Sequence, residues 1–255
     1  MIFDRRRYGQ DNYTYLIAES GDAALIDPGD PEVALALASE HGVRPRVVLH
    51  THGHHDHTGG TRRVASALRA TVYGSKADAA LYRPDVDLSG QALLALGALR
   101  VRVHEVPGHT PGSVLFEWEG LLFTGDTLFW GGAGNCRNGG DPARLADSFL
   151  RVIAPLDDAL LVHPGHDYAE ANLPFALDLE PANDAARDRL AAARAAKASR
   201  EEPEAPTLGA ERRANPFLRA GPLIPVLARQ GRACGDAREA FVALRALRDG
   251  WRSAR

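Results

Sequence analysis

The sequence of 255 residues predicts an α/β fold, in which helices pack on β-sheets. Through about residue 170, short apolar segments typical of strands alternate with segments that carry apolar residues at helical spacing. After residue 172 the composition shifts toward alanine, arginine and glutamate, which favours helices. Helices interleaved among strands indicate helical layers on a sheet, and the later shift indicates a helical C-terminal segment.

Strands are predicted first, from apolar or alternating runs in the N-terminal part. They lie near residues 12–18, 22–27, 46–50, 70–73, 99–106, 113–119, 121–125 and 159–163. Two helices begin where an aspartate precedes a proline, because aspartate caps a helix and proline suits the first helical position. Asp30 and Asp141 are these caps, and they predict helices over residues 31–41 and 142–154.

Two further helices are predicted in the C-terminal part. Residues 183–198 are alanine-rich and can be capped by Asn183 or Asp184. Residues 201–206, Glu-Glu-Pro-Glu-Ala-Pro, have the composition of a linker. Residues 236–248 carry apolar side chains on one stripe, as an amphipathic helix does.

Length and composition limit the class of protein. A chain of this length can form one large and one smaller domain, and the composition places them at residues 1–171 and 172–255. The net charge of −3 argues against a nucleic-acid or anionic-membrane surface. No apolar run approaches the roughly 20 residues of a membrane span, and residues 1–7 lack the apolar core of a signal peptide. The two cysteines, Cys136 and Cys234, are too few for a disulfide framework, so a reducing cytoplasm is expected; monomer and dimer both remain open.

Residues 51–60, Thr-His-Gly-His-His-Asp-His-Thr-Gly-Gly, hold the densest chemistry of the chain. Four histidines and one aspartate fall within six positions, directly after an apolar run. Imidazole and carboxylate groups are preferred ligands of first-row metals. His52 and His54 are two residues apart, so they can point the same way where a strand passes into a loop. The segment therefore predicts a metal site at the end of a strand, with enough ligands for more than one ion.

Three later segments repeat the pattern of an apolar strand followed by a loop that bears histidine or aspartate. They place His109 after the strand at residues 99–106, Asp126 after the strand at residues 121–125, and His163 and His166 at the end of the last strand, near residues 159–163. Glycine lies next to each candidate or one residue from it, which allows tight turns. These loops are expected to complete the metal site.

The order His-x-His-x-Asp-His, a single histidine, Gly-Asp-Thr and Pro-Gly-His resembles the metallo-β-lactamase superfamily, and within it glyoxalase II, the hydroxyacylglutathione hydrolases. The resemblance spans most of the chain. The similar stretches are residues 11–17, 51–60, 125–129, 165–168 continuing through 180–181, and 215–219 (Asn-Pro-Phe-Leu-Arg). It implies an αββα sandwich with metals at one edge, and a helical C-terminal domain that forms one wall of the substrate site.

The resemblance also implies how the ligands divide between two divalent ions, with zinc the first expectation and iron or manganese the alternatives. One ion would be held by His52, His54 and His109. The other would be held by Asp56, His57 and His166, with Asp126 bridging the two. Asp56 would also hold the proton of the attacking hydroxide. Seven protein ligands leave positions open on both ions, which is typical of a catalytic site.

Other histidines and polar residues near this pattern have simpler interpretations. His55 is expected to be exposed or to contact a ligand from outside. His50 and His104 lie within strands and are expected to be packed or hydrogen-bonded. Asp27 either orients a ligand histidine or serves a strand-end turn, and both alternatives stay open. His163 and Cys136 are not assigned to the metals.

Two residues are candidates for substrate contacts by resemblance. Tyr168 matches a tyrosine that contacts glutathione and the reacting thioester. Arg137 could replace the family's basic contact to a glutathione carboxylate, although its register is shifted and no tyrosine follows it. Residues 220–223, Ala-Gly-Pro-Leu, are neutral where the family often carries further basic residues.

The resemblance implies a binuclear thioester hydrolase that cleaves S-lactoylglutathione or a related acyl-thiol to a hydroxy acid and a free thiol, through a metal-bound hydroxide. A thiol of pKa about 8.5 leaves readily, so no separate general acid is required. The alternative is a mononuclear iron persulfide dioxygenase of the same superfamily. It would use two histidines and one carboxylate, with His54 or its neighbour, His109 and Asp126 as ligands.

Overall fold

The structure, a computed structural model, describes residues 1–252. Its strands form two larger sheets and one short hairpin. The strands are β1 (Ile2–Tyr8), β2 (Asn12–Glu19), β3 (Asp22–Ile26), β4 (Val47–Leu49), β5 (Thr71–Gly74), β6 (Val86–Asp87), β7 (Leu93–Leu96), β8 (Leu99–Glu105), β9 (Val114–Trp118), β10 (Leu121–Gly125), β11 (Leu128–Phe129), β12 (Gly132–Ala133) and β13 (Leu161–Pro164). The eight predicted strands are all present, with bounds within two residues of the prediction.

Nine helices are present within residues 1–252, and the last five follow one another from residue 169 onward. They are α1 (Pro31–Glu40), α2 (His55–Thr58), α3 (Thr61–Leu68), α4 (Pro142–Ser148), α5 (Ala169–Leu179), α6 (Asp184–Ser199), α7 (Leu208–Ala214), α8 (Ile224–Arg229) and α9 (Ala237–Gly250). None of the helices within residues 1–252 is long and apolar enough to cross a membrane.

The two larger sheets have mixed strand directions. The first has the order β1-β2-β3-β4-β5-β6, antiparallel from β1 to β3 and parallel from β3 to β6. The second has the order β13-β10-β9-β8-β7, with β13 parallel to β10 and the remaining pairs antiparallel. The parallel pairs of the first sheet bring the C-terminal ends of β3 and β4 to one edge.

The side-chain alternation of β2 shows how the layers pack. Tyr15 is buried between the sheets, and its ring meets that of Phe123 on β10 with centroids 5.1 Å apart. Leu16 points to the opposite face, where it is buried with Leu37 of α1 and Val64 of α3. Two sheets thus face each other with helices outside, which confirms the predicted αββα sandwich and its helical C-terminal segment.

Strand β1 is not predicted from the sequence. Its residues include three consecutive arginines and are mostly half-buried, so they show neither an apolar run nor a clean alternation. The strand lies at the edge of the first sheet and pairs with β2 along its whole length. The guanidinium carbons of Arg5 and Arg7 lie 5.2 and 5.0 Å from the centroid of the Tyr13 ring, which attracts these cations.

The helix predicted over residues 142–154 is α-helical only to Ser148. Residues Phe149–Ile153 continue it with π-helical geometry. In this segment Phe149 is buried, with its ring centroid 4.8 Å from that of Phe241 on α9. The contact lies between the two parts of the chain, where packing competes with regular helix geometry.

The C-terminal helices match their predicted caps, but the predicted linker is tethered. The Asn183 side chain accepts from Ala186 N–H, and Asp236 caps α9 in the same way. Glu202 pairs with Arg7 at 3.0 Å and accepts from the Tyr13 hydroxyl at 2.6 Å. One buried apolar cluster runs from the space between the sheets into helices α5 to α9. The two parts therefore share a hydrophobic core.

His163 is expected to make the fold sensitive to acid. It is buried against Phe3, Tyr15 and Phe123, and neither ring nitrogen has a hydrogen-bond partner among residues 1–252. Burial, together with nearby Arg5, lowers its pKa to about 3. A histidine in the unfolded chain titrates near pH 6.5. Between about pH 6.5 and pH 3 the unfolded chain binds this proton and the folded chain does not, so the free energy of unfolding should decrease as the pH is lowered through this range.

The variant His163→Leu should lose this part of the acid sensitivity. Urea unfolding of metal-free wild type and variant at about pH 7.5 and pH 5 measures it, because other titrating groups contribute equally to both proteins. The free energy of unfolding should fall less for the variant. Equal decreases in the two proteins would contradict the prediction.

Candidate metal centre

The ligand candidates of the sequence converge at one edge of the sandwich. His52 and His54 follow β4, and His54 is the N-cap of α2, which carries Asp56 and His57. The other three lie in the loops after β8, β10 and β13. These are His109, Asp126 and His166. Each candidate thus follows a strand that ends at the same edge, as the sequence analysis expected.

Three imidazoles form the first group. Nδ1 of His54 lies 3.2 Å from Nε2 of His52 and 3.0 Å from Nε2 of His109. Ligand nitrogens about 2.0–2.1 Å from a tetrahedral zinc ion are separated by about 3.3 Å. The three nitrogens therefore have the spacing of ligands around one ion.

Asp56, His57 and His166 form the second group. Nε2 of His166 lies 3.2 Å from Nε2 of His57 and 3.1 Å from Oδ2 of Asp56. Both histidines are buried, whereas the side chain of Asp56 is 48% exposed and lies at the opening of the site. This group also has the donor set and spacing of a metal site.

Asp126 lies between the two groups. Its Oδ2 is 3.6 Å from Nε2 of His109 and 3.4 Å from Nε2 of His166, and its Oδ1 is 3.2 Å from Nε2 of His57. Oδ1 is buried, and apart from this contact with His57 it has no hydrogen-bond donor within residues 1–252. A buried carboxylate oxygen in this state is destabilising unless a cation satisfies it. The residues present therefore fit divalent ions.

The outer nitrogens of three ligand histidines are held by oxygen acceptors. Nδ1 of His57 faces Asp27 at 3.2 Å, and Nδ1 of His166 faces Asp11 at 2.8 Å. Nδ1 of His109 donates to the carbonyl of Asn135 at 2.6 Å. Each contact fixes Nδ1 as the protonated nitrogen and leaves Nε2 free for a metal. Nδ1 of His52 faces the Thr51 hydroxyl at 3.1 Å, whereas His54 differs from the others because its Nδ1 points inward, toward Nε2 of His52 and of His109.

Asp27 serves both of the roles left open by the sequence. Its carboxylate accepts from the backbone N–H of Thr51 at 2.9 Å and from the Thr51 hydroxyl at 2.6 Å, and it also faces His57. Its backbone is left-handed, with φ +50°, at the turn that leaves β3. Burial opposes its charge, but the neighbouring His50 and His57 hold its pKa well below the usual range. The buried anion thus orients a ligand histidine.

The charges of the site favour a bound cation. Burial alone would lower the pKa of His166, but Asp126 and Asp56 outweigh it and raise the pKa to about 10. Burial also opposes charge on His57, yet Asp126 and Asp27 raise its pKa well above the usual value. The carboxylates therefore produce a negative potential at the inward nitrogens, which is what a divalent ion requires.

Gly165 shows why glycine flanks a ligand here. A Cβ at this position would lie 2.4 Å from Oδ1 of Asp126 and 2.5 Å from a ring carbon of His57. Its φ is not positive, so close approach, rather than the turn, requires glycine. From the sequence, such glycines are expected only to allow tight turns.

The residues that the sequence left outside the site lie outside it. His55 is exposed, and Cys136 is a free, half-buried thiol; neither belongs to the groups of convergent donors within residues 1–252. His50 is buried and hydrogen-bonded to Thr61 at 2.8 Å, and His104 contacts Glu117 at 2.9 Å.

A cavity of about 220 Å³ lies between the metal loops and α9. Tyr168 lines it, with its ring stacked on that of His166 at 4.8 Å. Four arginines and one carboxylate, Asp249, also line it, so the charge is strongly positive. The arginines are Arg137, Arg245, Arg248 and Arg252. Arg137 is mostly exposed and donates to the carbonyl of Asp249 at 2.8 Å.

Sequence reasoning missed three of these arginines. The family resemblance implies basic residues after position 219. The positive charge of the cavity comes instead from Arg245 and Arg248 on α9 and from Arg252, which follows α9. Spacing gave a signal for two of them, since Arg245 and Arg248 are three residues apart and so share one face of α9. Asn12 also has no predicted role in the site, although its side-chain amide donates to the Asp56 carboxylate at 3.1 Å.

The C-terminal segment holds the loop at residues 129–134, which lines this cavity. Asn215 donates to the carbonyls of Phe129 and Gly132 at 3.1 and 2.9 Å. Arg245 donates to the carbonyl of Ala133 at 2.7 Å. The Asn-Pro-Phe-Leu-Arg stretch therefore has a structural task in shaping the site.

Comparisons with known proteins agree with this architecture. The family model of the metallo-beta-lactamase superfamily matches residues 7–166, and that of the hydroxyacylglutathione hydrolase C-terminus matches residues 167–251. A hydroxyacylglutathione hydrolase from Anaeromyxobacter dehalogenans is 67% identical over 254 residues, which cover 98% of this chain and 99% of that protein.

Two solved structures share the fold over most of their length. ETHE1 from Myxococcus xanthus superposes with a TM-score of 0.70 at 25% identity, covering 96% of this chain and 90% of that one. TTHA1623, solved in a di-iron-bound form, superposes with a TM-score of 0.61 at 27% identity, covering 85% of this chain and 100% of that one. With a shared fold, matching family models and a 67% identical relative, the chain belongs to the hydroxyacylglutathione hydrolase family of the metallo-β-lactamase superfamily.

Proposed function

We propose that this chain hydrolyses S-lactoylglutathione, or a closely related glutathione thioester, to a hydroxy acid and a free thiol. The chain is a metal-dependent hydrolase of the glyoxalase II type, as its full-length relative and its C-terminal family model show. A small-molecule thioester is accordingly its substrate class. The acyl group and the thiol carrier are the parts that we propose. They are supported by an arginine-lined cavity directly beside the convergent ligands.

We propose two ions per chain, divided as the resemblance implied. His52, His54 and His109 hold one ion, Asp56, His57 and His166 hold the other, and Asp126 bridges them. The spacing within each group and the position of Asp126 between them support this division. TTHA1623 binds two irons on the same fold. Zinc is our first expectation, and iron or manganese would suit the same nitrogen and oxygen donors.

When bound, such ions lower the pKa of water and polarise a carbonyl oxygen. We assign Asp56 as the group that holds the proton of the attacking water, on its carboxylate oxygens. Burial opposes its charge, but His166 and His57 keep its pKa below the usual range, so it is ionised at neutral pH. Because the leaving thiol has a pKa of about 8.5, its departure requires no other acid.

We propose that residues 1–171 supply the metal site and that residues 172–255 supply much of the substrate site; residues 253–255 lie outside those described. The cavity joins Tyr168 of the first part to Arg248 and Arg252 of the second. Glutathione carries two carboxylates, and arginine pairs bind carboxylates with charge and geometry together. We also expect the enzyme to act in a reducing cytoplasm, because both cysteines are free.

One experiment tests the proposed reaction. Purified protein saturated with metal is assayed for ions per chain and for turnover of S-lactoylglutathione. The alternative, a mononuclear iron dioxygenase, would instead bind one ion and consume oxygen with a glutathione persulfide. We expect two ions, rapid release of glutathione and no oxygen uptake. One ion at saturation, or oxygen uptake without hydrolysis, would overturn the proposal.

Arg137 is expected to contribute less to binding than the arginines on α9. It is exposed and already pairs with Asp249, and exposed pairs contribute about 0–1 kcal/mol. The variant Arg137→Ala should therefore raise KM for S-lactoylglutathione by no more than about fivefold, with kcat unchanged. Steady-state kinetics measure this. A tenfold or larger decrease in kcat would show that Arg137 acts on the chemical step instead.

A further inference from the structure

Asp78 is a buried carboxylate that holds two loops together. It ends the short 3₁₀ turn at Lys76–Asp78, and it is 2% exposed. Its side chain accepts three hydrogen bonds, from Gly53 N–H at 2.9 Å, from Gly112 N–H at 2.9 Å and from the Thr110 hydroxyl at 2.7 Å. Gly53 belongs to the loop after β4, whereas Thr110 and Gly112 belong to the loop after β8.

Those donors are the chain neighbours of three metal ligands. Gly53 lies between His52 and His54, and Thr110 directly follows His109. The same oxygen, Oδ2 of Asp78, accepts from both Gly53 and Thr110. This oxygen therefore fixes the position of one loop relative to the other. Its two donors are the immediate chain neighbours of the three histidines of the first group.

The surrounding backbone is built closely around this carboxylate. A Cβ added to Gly53 would lie 2.8 Å from Cβ of Asp78, and one added to Gly112 would lie 2.8 Å from its Cγ. Within residues 1–252, the groups that donate to the Asp78 carboxylate are uncharged: two backbone N–H groups and one hydroxyl. A buried charge without a cationic partner is destabilising, so its presence requires a compensating role.

We propose that Asp78 is a positioning residue for the first ion site. By holding the loops of His52, His54 and His109 together, it sets the affinity of that site for metal. The second group is oriented by other residues, Asp11 and Asp27, so its affinity does not depend on Asp78. The inference rests on the proposed division of ligands between two ions.

The test measures the affinity of each site alone. His166→Ala disables the second group and leaves the first, whereas His109→Ala does the reverse. Asp78→Ala is added to each background, and zinc binding is measured by competition with a chromophoric chelator. We expect zinc affinity to fall about tenfold or more in the His166→Ala background, as for other residues that orient ligands, and by less than about threefold in the His109→Ala background.

Asp87→Asn is the matched control. The Asp87 carboxylate accepts from Lys76 N–H at 3.0 Å and from Ser89 N–H at 3.1 Å, so it holds the same turn without contacting either ligand loop. Asp87→Asn should leave the zinc affinity unchanged in both backgrounds. If Asp78→Ala does not fold, Asp78→Asn retains one carbonyl acceptor and should show a smaller decrease with the same selectivity.

Equal weakening of both sites, or an unchanged first site, would overturn the role of Asp78. A chain without the histidine substitutions that binds only one ion at saturation would overturn the binuclear proposal instead. The comparison between the two backgrounds would still decide whether Asp78 acts on the first group. The two failures are therefore distinguishable.

Discussion

Replacing Asp126 with alanine is expected to remove at least one ion per chain and to lower kcat/KM for S-lactoylglutathione by at least about a thousandfold, because metal ions supply several kcal/mol of transition-state stabilisation. Asp126 is the one carboxylate that lies within 4 Å of ligand nitrogens of both groups in the described chain. Its loss leaves His57 and His166 without the carboxylate that favours a cation beside them. Metal analysis and steady-state kinetics measure the two effects.

His55→Ala is the control for this variant. His55 lies in the same ligand-bearing segment but is exposed and outside the convergent groups. It should keep both ions and its activity. An Asp126→Ala protein that retained two ions and more than a tenth of wild-type activity would refute the bridging assignment.

The second large effect is expected on α9. The double variant Arg248→Ala with Arg252→Ala should raise KM for S-lactoylglutathione by about 100-fold or more, because hydrogen bonds to charged groups contribute about 1.5–3 kcal/mol each and a tenfold change corresponds to about 1.4 kcal/mol. Changes in kcat should remain small, since contacts to a remote carboxylate form before the chemical step. Arg248 is half-buried and is held by the carbonyl of Ala171 at 3.1 Å, so its guanidinium is already oriented.

Two controls separate binding from folding. Arg238→Ala removes an arginine from the same helix whose pair, Asp147, lies outside the cavity. It should leave KM unchanged. An acyl thioester whose thiol carries no carboxylate should have the same KM in wild type and double variant. If both thioesters lost affinity equally, the arginines would support the fold of the site rather than bind glutathione.

The sequence predicted the histidines and aspartates that converge in the structure because their signal is local. His52, His54, Asp56 and His57 lie within six positions, and the remaining candidates each follow an apolar strand. A ligand at the end of a strand is placed by the sheet, so strand prediction and ligand prediction supported each other. The αββα layers followed from the same alternation of strands and helices together with the family resemblance.

The features that escaped prediction depend on contacts between distant parts of the chain. Strand β1 is stabilised by β2 and by Tyr13 rather than by an apolar pattern of its own. Asp78 is one aspartate among many until folding brings Gly53 and Thr110 to it. Arg245 and Arg248 share one face of a predicted helix, but their position beside the metal loops depends on how α9 packs against the rest of the chain.

The apolar cluster that runs from the sandwich into the C-terminal helices has a thermodynamic consequence. Because the two parts bury their apolar surfaces against each other, unfolding of either part exposes core side chains of the other, which couples their unfolding. Heat should therefore melt the chain in a single cooperative transition. Ligands that bind only the folded state shift that transition upward, so zinc bound at the sandwich edge also protects α9 from melting. Chelation should lower the melting temperature of both parts together, although none of the proposed metal ligands lies beyond His166.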